Sequence, residues 1–257
     1  MYSRSETVTE VAPPEDVWLR QFHEAAEPRV TLVCLPHAGG AASSYFALSA
    51  ALGPGIRLLA AQYPGRQDRR FESCPENVAD YVTAIAASIV ARVPGPVALF
   101  GHSFGATLAF EAALHLERSG REVTRLFVSG RRAPAEQRET GLNRRSDEVL
   151  IAELRHLSGT HPEFLLDQEM LNLILPGLRG DYQALDNYRY RPGDAVRCGV
   201  RALCGTTDLK VSPDEIRQWA DYTSADTKVS VFEGGHFYLF DQLESLTRIR
   251  RQDLASS

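Results

Sequence analysis

The stretch Leu99-Phe100-Gly101-His102-Ser103-Phe104-Gly105 constrains this chain more than any other. A short apolar run over residues 96–100 ends in G-x-S-x-G and passes into good helix formers over 107–116, with Gly120 placed to stop the helix. A serine held between strand and helix in so few residues needs a strained turn, and its neighbours must be small for the two elements to pass closely. Gly101 and Gly105 meet that need. The free N–H groups at the start of the helix favour negative charge, which suits the oxyanion of an acyl-transfer intermediate. The motif alone is also compatible with an ordinary Gly/Ser turn, and it is the strand before it and the helix after it that favour a nucleophile elbow.

The rest of the chain alternates in the same way. Strand-like runs cover 30–35, 56–63, 123–130, 200–205 and 228–233, and residues 77–93 have a helical pattern with Val78, Tyr81, Val82, Ile85, Ile89 and Val93 on a related face. Strands separated by helices imply an α/β fold with a mostly parallel central sheet flanked by helices, whose ligand sites lie at the carboxyl ends of the strands. Between 131 and 197 the alternation stops. There 147–157 and 167–182 read as helices, the second interrupted by Pro176. The spacing predicts a helical lid insertion over the site, with plain cover for the sheet as the alternative. Further helices are expected over 213–222 and 241–252, the last with Arg248, Arg250 and Arg251 at a basic end. Residues 16–22 form a short segment that tucks Trp18 onto the body.

A chain of 257 residues, 44% hydrophobic, can bury a substantial core, and a single domain over 16–252 is expected between tails at 1–15 and 253–257. The first 14 residues are polar, unlike a secretory signal, and no run of about 18 apolar residues occurs to cross a membrane. A net charge of −5 argues against nucleic acid as a partner. Cys34, Cys74, Cys198 and Cys204 form no C-x-x-C pair, so neither a disulfide nor a metal site is expected, and Cys34 and Cys204 read as core residues of a cytoplasmic protein.

Serine becomes a nucleophile when a base takes its proton, and the base needs an acid to hold its tautomer. Ser103, Asp208 and His236 supply these roles in the chain order Ser, Asp, His, and the last two follow directly after expected strands. The loop Pro36-His37-Ala38-Gly39-Gly40, also after a strand, offers a second oxyanion donor, so the backbone N–H groups of Ala38 and Phe104 are the candidate pair. A plain Gly turn is the alternative there. His37 and His102 read as loop-shaping residues. His23, His115, His156 and His161 fall outside strand ends; Asp181, Asp186 and Asp194 lie in or near the lid, and Asp214 starts a helix.

With these residues in place, the chain resembles the type II thioesterases, stand-alone editing hydrolases of polyketide and nonribosomal peptide pathways with an α/β-hydrolase fold. Residues 18–22, Leu35-Pro36-His37-Ala38-Gly39-Gly40, Tyr63-Pro64-Gly65-Arg66-Gln67-Asp68-Arg69, the elbow and Gly235-His236-Phe237-Tyr238 bear the likeness, which spans roughly 16–250. The resemblance implies a cofactor-free monomer that hydrolyses acyl groups from the phosphopantetheine arm of an acyl or peptidyl carrier protein. Arg66 and Arg69 are candidate phosphate or carrier contacts, and Arg131, Arg132, Arg144 and Arg145 candidate docking groups for an acidic carrier. A general carboxylester hydrolase or an acyltransferase would use the same triad, and a non-catalytic carrier-binding scaffold would use only the fold.

Overall fold

The computed structural model describes residues 17–158 and 168–255; the expected N-terminal tail, His161 and Asp167 lie outside the described residues. Strands β1 (Leu19–Arg20), β2 (Val30–Leu35), β3 (Ile56–Ala61), β4 (Val97–His102), β5 (Val123–Ser129), β6 (Gly199–Gly205) and β7 (Thr227–Phe232) form one sheet in the order β1-β3-β2-β4-β5-β6-β7. All neighbours are parallel except β1, which pairs antiparallel with β3. This is the α/β architecture that the alternation implies, with β4, the strand leading into the elbow, near the centre.

Every residue of β2 and of β4 is buried, because both faces of the sheet are covered. Helices α2 (Val78–Arg92), α3 (Phe104–Arg118) and α5 (Gln168–Asn187) contribute to the core on one face, around Tyr81, Phe104 and Leu178. On the other, α1 (Phe46–Ala51) and α7 (Leu243–Ala255) close over Leu32, Phe100 and Phe127. Helix α2 begins where the Asn77 side chain accepts the Asp80 N–H at 2.9 Å. Helix α4 (Asp147–Ser158) and the short α6 (Tyr238–Asp241) complete the set, and residues Glu215–Tyr222 form a 3-10 helix.

Several local expectations change. Pro176 does not interrupt its helix: α5 runs through it for 20 residues. A proline inside a helix costs about 3 kcal/mol, and the burial of Leu171, Leu175, Leu178 and Tyr182 along α5 more than offsets that. The closing helix extends to Ala255, with Leu254 in the core and Asp253 paired to Arg201, so residues 253–255 are no tail. Its arginines do not form a basic end. Arg250 is buried under the sheet, and Arg251 reaches across to the carbonyls of Ala51 and Leu52, capping α1 instead. Trp18 is tucked in as expected, edge-on to Tyr81, but its neighbours Leu19 and Arg20 add an edge strand too short for any periodicity to betray.

Candidate active site

The elbow forms as its glycines require. Ser103 takes φ 54, ψ −114, one of two non-glycine residues with positive φ among those described. A Cβ on Gly101 would stand 1.9 Å from the Gly105 carbonyl oxygen, so the strand and helix could not pass with any larger residue there. The Ser103 N–H donates to Ser129 O at 2.8 Å, which ties the turn to the end of β5. Ser103 itself is only half-buried, whereas His102 and Phe104 on either side are fully enclosed.

Asp208 and His236 arrive from the ends of β6 and β7. The N–H groups of Thr206 and Thr207 donate to Phe232 O and Gly234 O at 2.8 and 3.0 Å, holding the two loops side by side. As a result His236 Nδ1 lies 2.9 and 3.0 Å from the two carboxylate oxygens of Asp208, and both side chains are almost wholly buried. Asp208 is itself oriented by the Lys210 N–H, which donates to Oδ1 at 2.8 Å. The His236 ring comes over Gly130, the residue after Ser129, and so converges with Ser103 on the end of β5. An imidazole whose Nδ1–H is committed to a carboxylate presents Nε2 as a base.

The loop after β2 meets the same edge. Among the described residues, the hydrogen bonds of the loops and caps leave the Ala38 and Phe104 N–H groups unused. A cavity of about 1090 Å³ opens beside this loop, walled by His37, Ala38, Phe237 and Phe240 and, from α4 and α5, by Leu154, Leu173 and Ile174. The helical insertion therefore turns apolar side chains into the cavity as well as covering the sheet. Its lining is mostly apolar, which suits an acyl chain.

His37 and His102 are neutral scaffolding. Burial and the nearby His236 push His37 down to about 3 and His102 well below the ordinary histidine range. His102 Nδ1 bonds Ser129 Oγ at 2.9 Å, and that oxygen bonds Tyr238 OH at 2.6 Å, a buried chain beneath the elbow that sequence patterns do not signal. The four cysteines are free, and burial pushes Cys34 up to about 12. Among the described residues no group of three or more His, Cys, Asp or Glu is arranged to hold a metal ion.

The charged loop after β3 departs from expectation. Arg66 and Arg69 are 3% and 5% exposed, so neither stands out from the surface, although Arg66 is one of the residues lining the cavity. Arg66 pairs with the buried Asp181 of α5; Arg69 pairs with Glu72, donates to Gln62 O and lies over the Trp18 ring. Arg131 and Arg132 are likewise committed, to Gln137 and Glu215, while Arg144 and Arg145 are exposed. The other carboxylates have structural partners: Asp186 accepts the N–H groups of Thr140 and Gly141, Asp194 pairs with Arg118, and Asp214 pairs with Arg217. His115 and His156 are exposed on helices, and His23 lies against Phe46.

Residues 30–254 match the family model of the thioesterase domain. The chain is 46% identical over 228 residues to thioesterase PikA5 of Streptomyces venezuelae, covering 88% of this chain and 81% of that one. It is 39% identical to a probable cadicidin biosynthesis thioesterase of Streptomyces griseus, over 95% of this chain and 68% of that protein. The structure superposes on the type II thioesterase BorB of the borrelidin biosynthetic cluster with a TM-score of 0.89 at 45% identity, covering 95% of this chain and all of that one. The seven-stranded sheet, the strained serine elbow and these likenesses agree, and the chain belongs to the thioesterase domain family, an α/β-hydrolase-fold enzyme that hydrolyses thioesters.

Proposed function

We propose that the protein removes acyl groups from the phosphopantetheine arm of an acyl or peptidyl carrier protein in a polyketide or nonribosomal peptide pathway. The observation that supports this best is the Asp208–His236 pair at 2.9 Å, converging with the Ser103 elbow, next to a mostly apolar cavity that Ala38 and Phe237 help to line. Ser103 Oγ attacks the thioester carbonyl as His236 Nε2 takes its proton, and the tetrahedral oxyanion is met by the Ala38 and Phe104 N–H groups. The C–S bond then breaks, His236 returns the proton to the departing thiolate, and Ser103 is left acylated. Water, deprotonated by His236, attacks the ester; the C–O bond to Ser103 breaks, His236 returns the proton to Ser103 Oγ, and free acid is released. Each oxyanion donor contributes roughly 3 to 4 kcal/mol.

The protein works without a cofactor, as a monomer in the cytoplasm; among the described residues no helix is long and apolar enough to cross a membrane. Of the arginines considered for docking, the exposed Arg144 and Arg145 are the ones free to meet an acidic carrier. The deciding experiment incubates the protein with acyl-carrier protein, acyl-CoA and a simple oxyester and follows products by mass spectrometry. Free acid and holo-carrier are expected. Oxyester cleavage with no turnover of any acyl-carrier would identify a general esterase instead, and transfer of the acyl group to an added alcohol or amine an acyltransferase.

A further inference from the structure

In the loop after β2, the Gly40 N–H donates to His37 O at 2.9 Å and Gly39 takes φ +74, the pattern of a type II turn with Ala38 and Gly39 at its corners. The peptide between the corners directs its N–H, that of Gly39, away from the turn, where it needs a partner. The partner comes from α5: Asp181 Oδ2 accepts that N–H at 2.8 Å. The Asp181 carboxylate is fully buried and is held from two other sides, by the Arg66 guanidinium and by Tyr81 OH, which donates to Oδ1 at 2.7 Å. Arg66 is anchored in turn on Pro64 O at 2.6 Å. Ile174 and Leu178 of α5 stand over the same turn, within 3.2 Å of where a Cβ on Gly39 would lie.

We infer that Asp181 is a positioning residue for the oxyanion hole: by holding the Gly39 N–H it fixes the turn that presents the Ala38 N–H, and it makes that presentation depend on helix α5 being docked. The inference deepens the proposed active site and rests on it. A type I and a type II turn differ by a flip of the central peptide, and the glycine at the third position permits either. An acceptor for the flipped N–H selects one of them, and a charged acceptor does so more strongly than a neutral one. Without that acceptor the loop that carries the Ala38 N–H loses its tie to α5, and a displacement of about 1 Å at a catalytic group costs on the order of 10²-fold in rate. A buried ion pair adds little net stability over apolar packing, so what Arg66 and Asp181 supply is geometry. The same contacts join the cavity's apolar wall on α5 to the loop beside the reacting carbonyl, so a shift of α5 alters chain binding and oxyanion stabilisation together.

The test compares Asp181→Asn and Tyr81→Phe with wild type and with Ser103→Ala, using an acyl-CoA or acyl-carrier substrate and an alkyl boronic acid that forms a tetrahedral adduct. Rates are expressed per active site, counted by exhaustive fluorophosphonate labelling of Ser103. Asp181→Asn is expected to lower kcat about 30- to 300-fold with KM changed less than about threefold, and to weaken the boronic acid by a similar factor. Tyr81→Phe, which removes one of the contacts to the carboxylate, is expected to lower both about three- to tenfold. A merely structural role would lower the melting temperature and leave the rate per active site unchanged. The inference is overturned if Asp181→Asn folds with kcat and boronic acid affinity within about twofold of wild type. Should Asp181→Asn fail to fold, Tyr81→Phe decides by the same criterion. Retained turnover in Ser103→Ala would overturn the proposed active site, and the role of Asp181 with it; an inactive Ser103→Ala beside wild-type-like Asp181→Asn and Tyr81→Phe overturns this inference alone.

Discussion

Gly105 lies so close to the end of β2 that a Cβ on it would stand 2.0 Å from the carbonyl oxygen of Leu35. The first turn of α3 is thereby pressed against the strand that leads into His37-Ala38-Gly39-Gly40, and the serine elbow and the loop after β2 are packed backbone to backbone. The obstacle is backbone, so no rotamer change can relieve it. Gly105→Ala is expected to destabilise the fold by more than about 3 kcal/mol. Gly55→Ala, where a Cβ meets nothing within 4 Å, serves as control and should be neutral. Urea unfolding midpoints compare the two.

Asp208 holds the His236 ring through Nδ1, and among the described residues no other hydrogen-bond partner meets that nitrogen. Asp208→Asn keeps the shape but can donate where a carboxylate only accepts, which favours the wrong imidazole tautomer. A fall in kcat of about 10³- to 10⁴-fold is expected with KM little changed. Steady-state kinetics on an acyl-CoA substrate measures it, and an Asp208→Asn enzyme within tenfold of wild type would remove this residue from the proposed triad.

Burial keeps His102 and His37 neutral in the folded protein at pH values where a free histidine, with a pKa near 6.5, is charged. The unfolded chain therefore binds more protons below that value, and stability falls as pH drops through the window beneath 6.5. Each such histidine changes the folding constant by about tenfold per pH unit until its folded pKa is reached. His102→Gln is expected to lower the slope of stability against pH between about pH 6 and 4 by one proton. Urea unfolding across that range reads the slope, and an unchanged value would mean that His102 is protonated in the native state.

Arg250 is 1% exposed, has no partner for Nε or Nη1 among the described residues, and stands 4.0 Å from the centre of the Phe100 ring. The ring attracts the cation, but burying two nitrogens whose N–H groups have no acceptors costs more than such a contact returns. Arg250→Met fills the same space without those donors and is expected to leave stability unchanged or raise it by about 1 kcal/mol. Thermal melting decides, and a loss greater than about 2 kcal/mol would contradict this account.

The strands were legible because a parallel sheet covered on both faces needs apolar residues at every position, and runs such as residues 30–35 and 97–100 state that locally. The elbow was legible for a related reason: Gly101 answers to Gly105 within the same turn, although Gly105 itself answers to Leu35 on the neighbouring strand. Continuity of α5 through Pro176 was not, since local propensity argues against it and the apolar burial that outweighs it belongs to the assembled core. The arginines after β3 were the least legible. Arg66 reads as a phosphate or carrier contact until Asp181, 115 residues away, is brought against it.

Sequence by itself determined the α/β class, the placing of Ser103, Asp208 and His236 in that chain order after the strands β4, β6 and β7, and the glycine-bearing loop that follows β2. These depend on periodicity, turn chemistry and spacing, which are local. Only the tertiary structure decided that the Arg66 loop is an internal strut, that Leu154, Leu173 and Ile174 of the inserted helices face the cavity, and that α5 reaches the turn beside Ala38 through Asp181. The physical reason is that the state of a charge, and the side of a helix that is covered, are set by whichever distant segment removes the water, and no local pattern records which segment that will be.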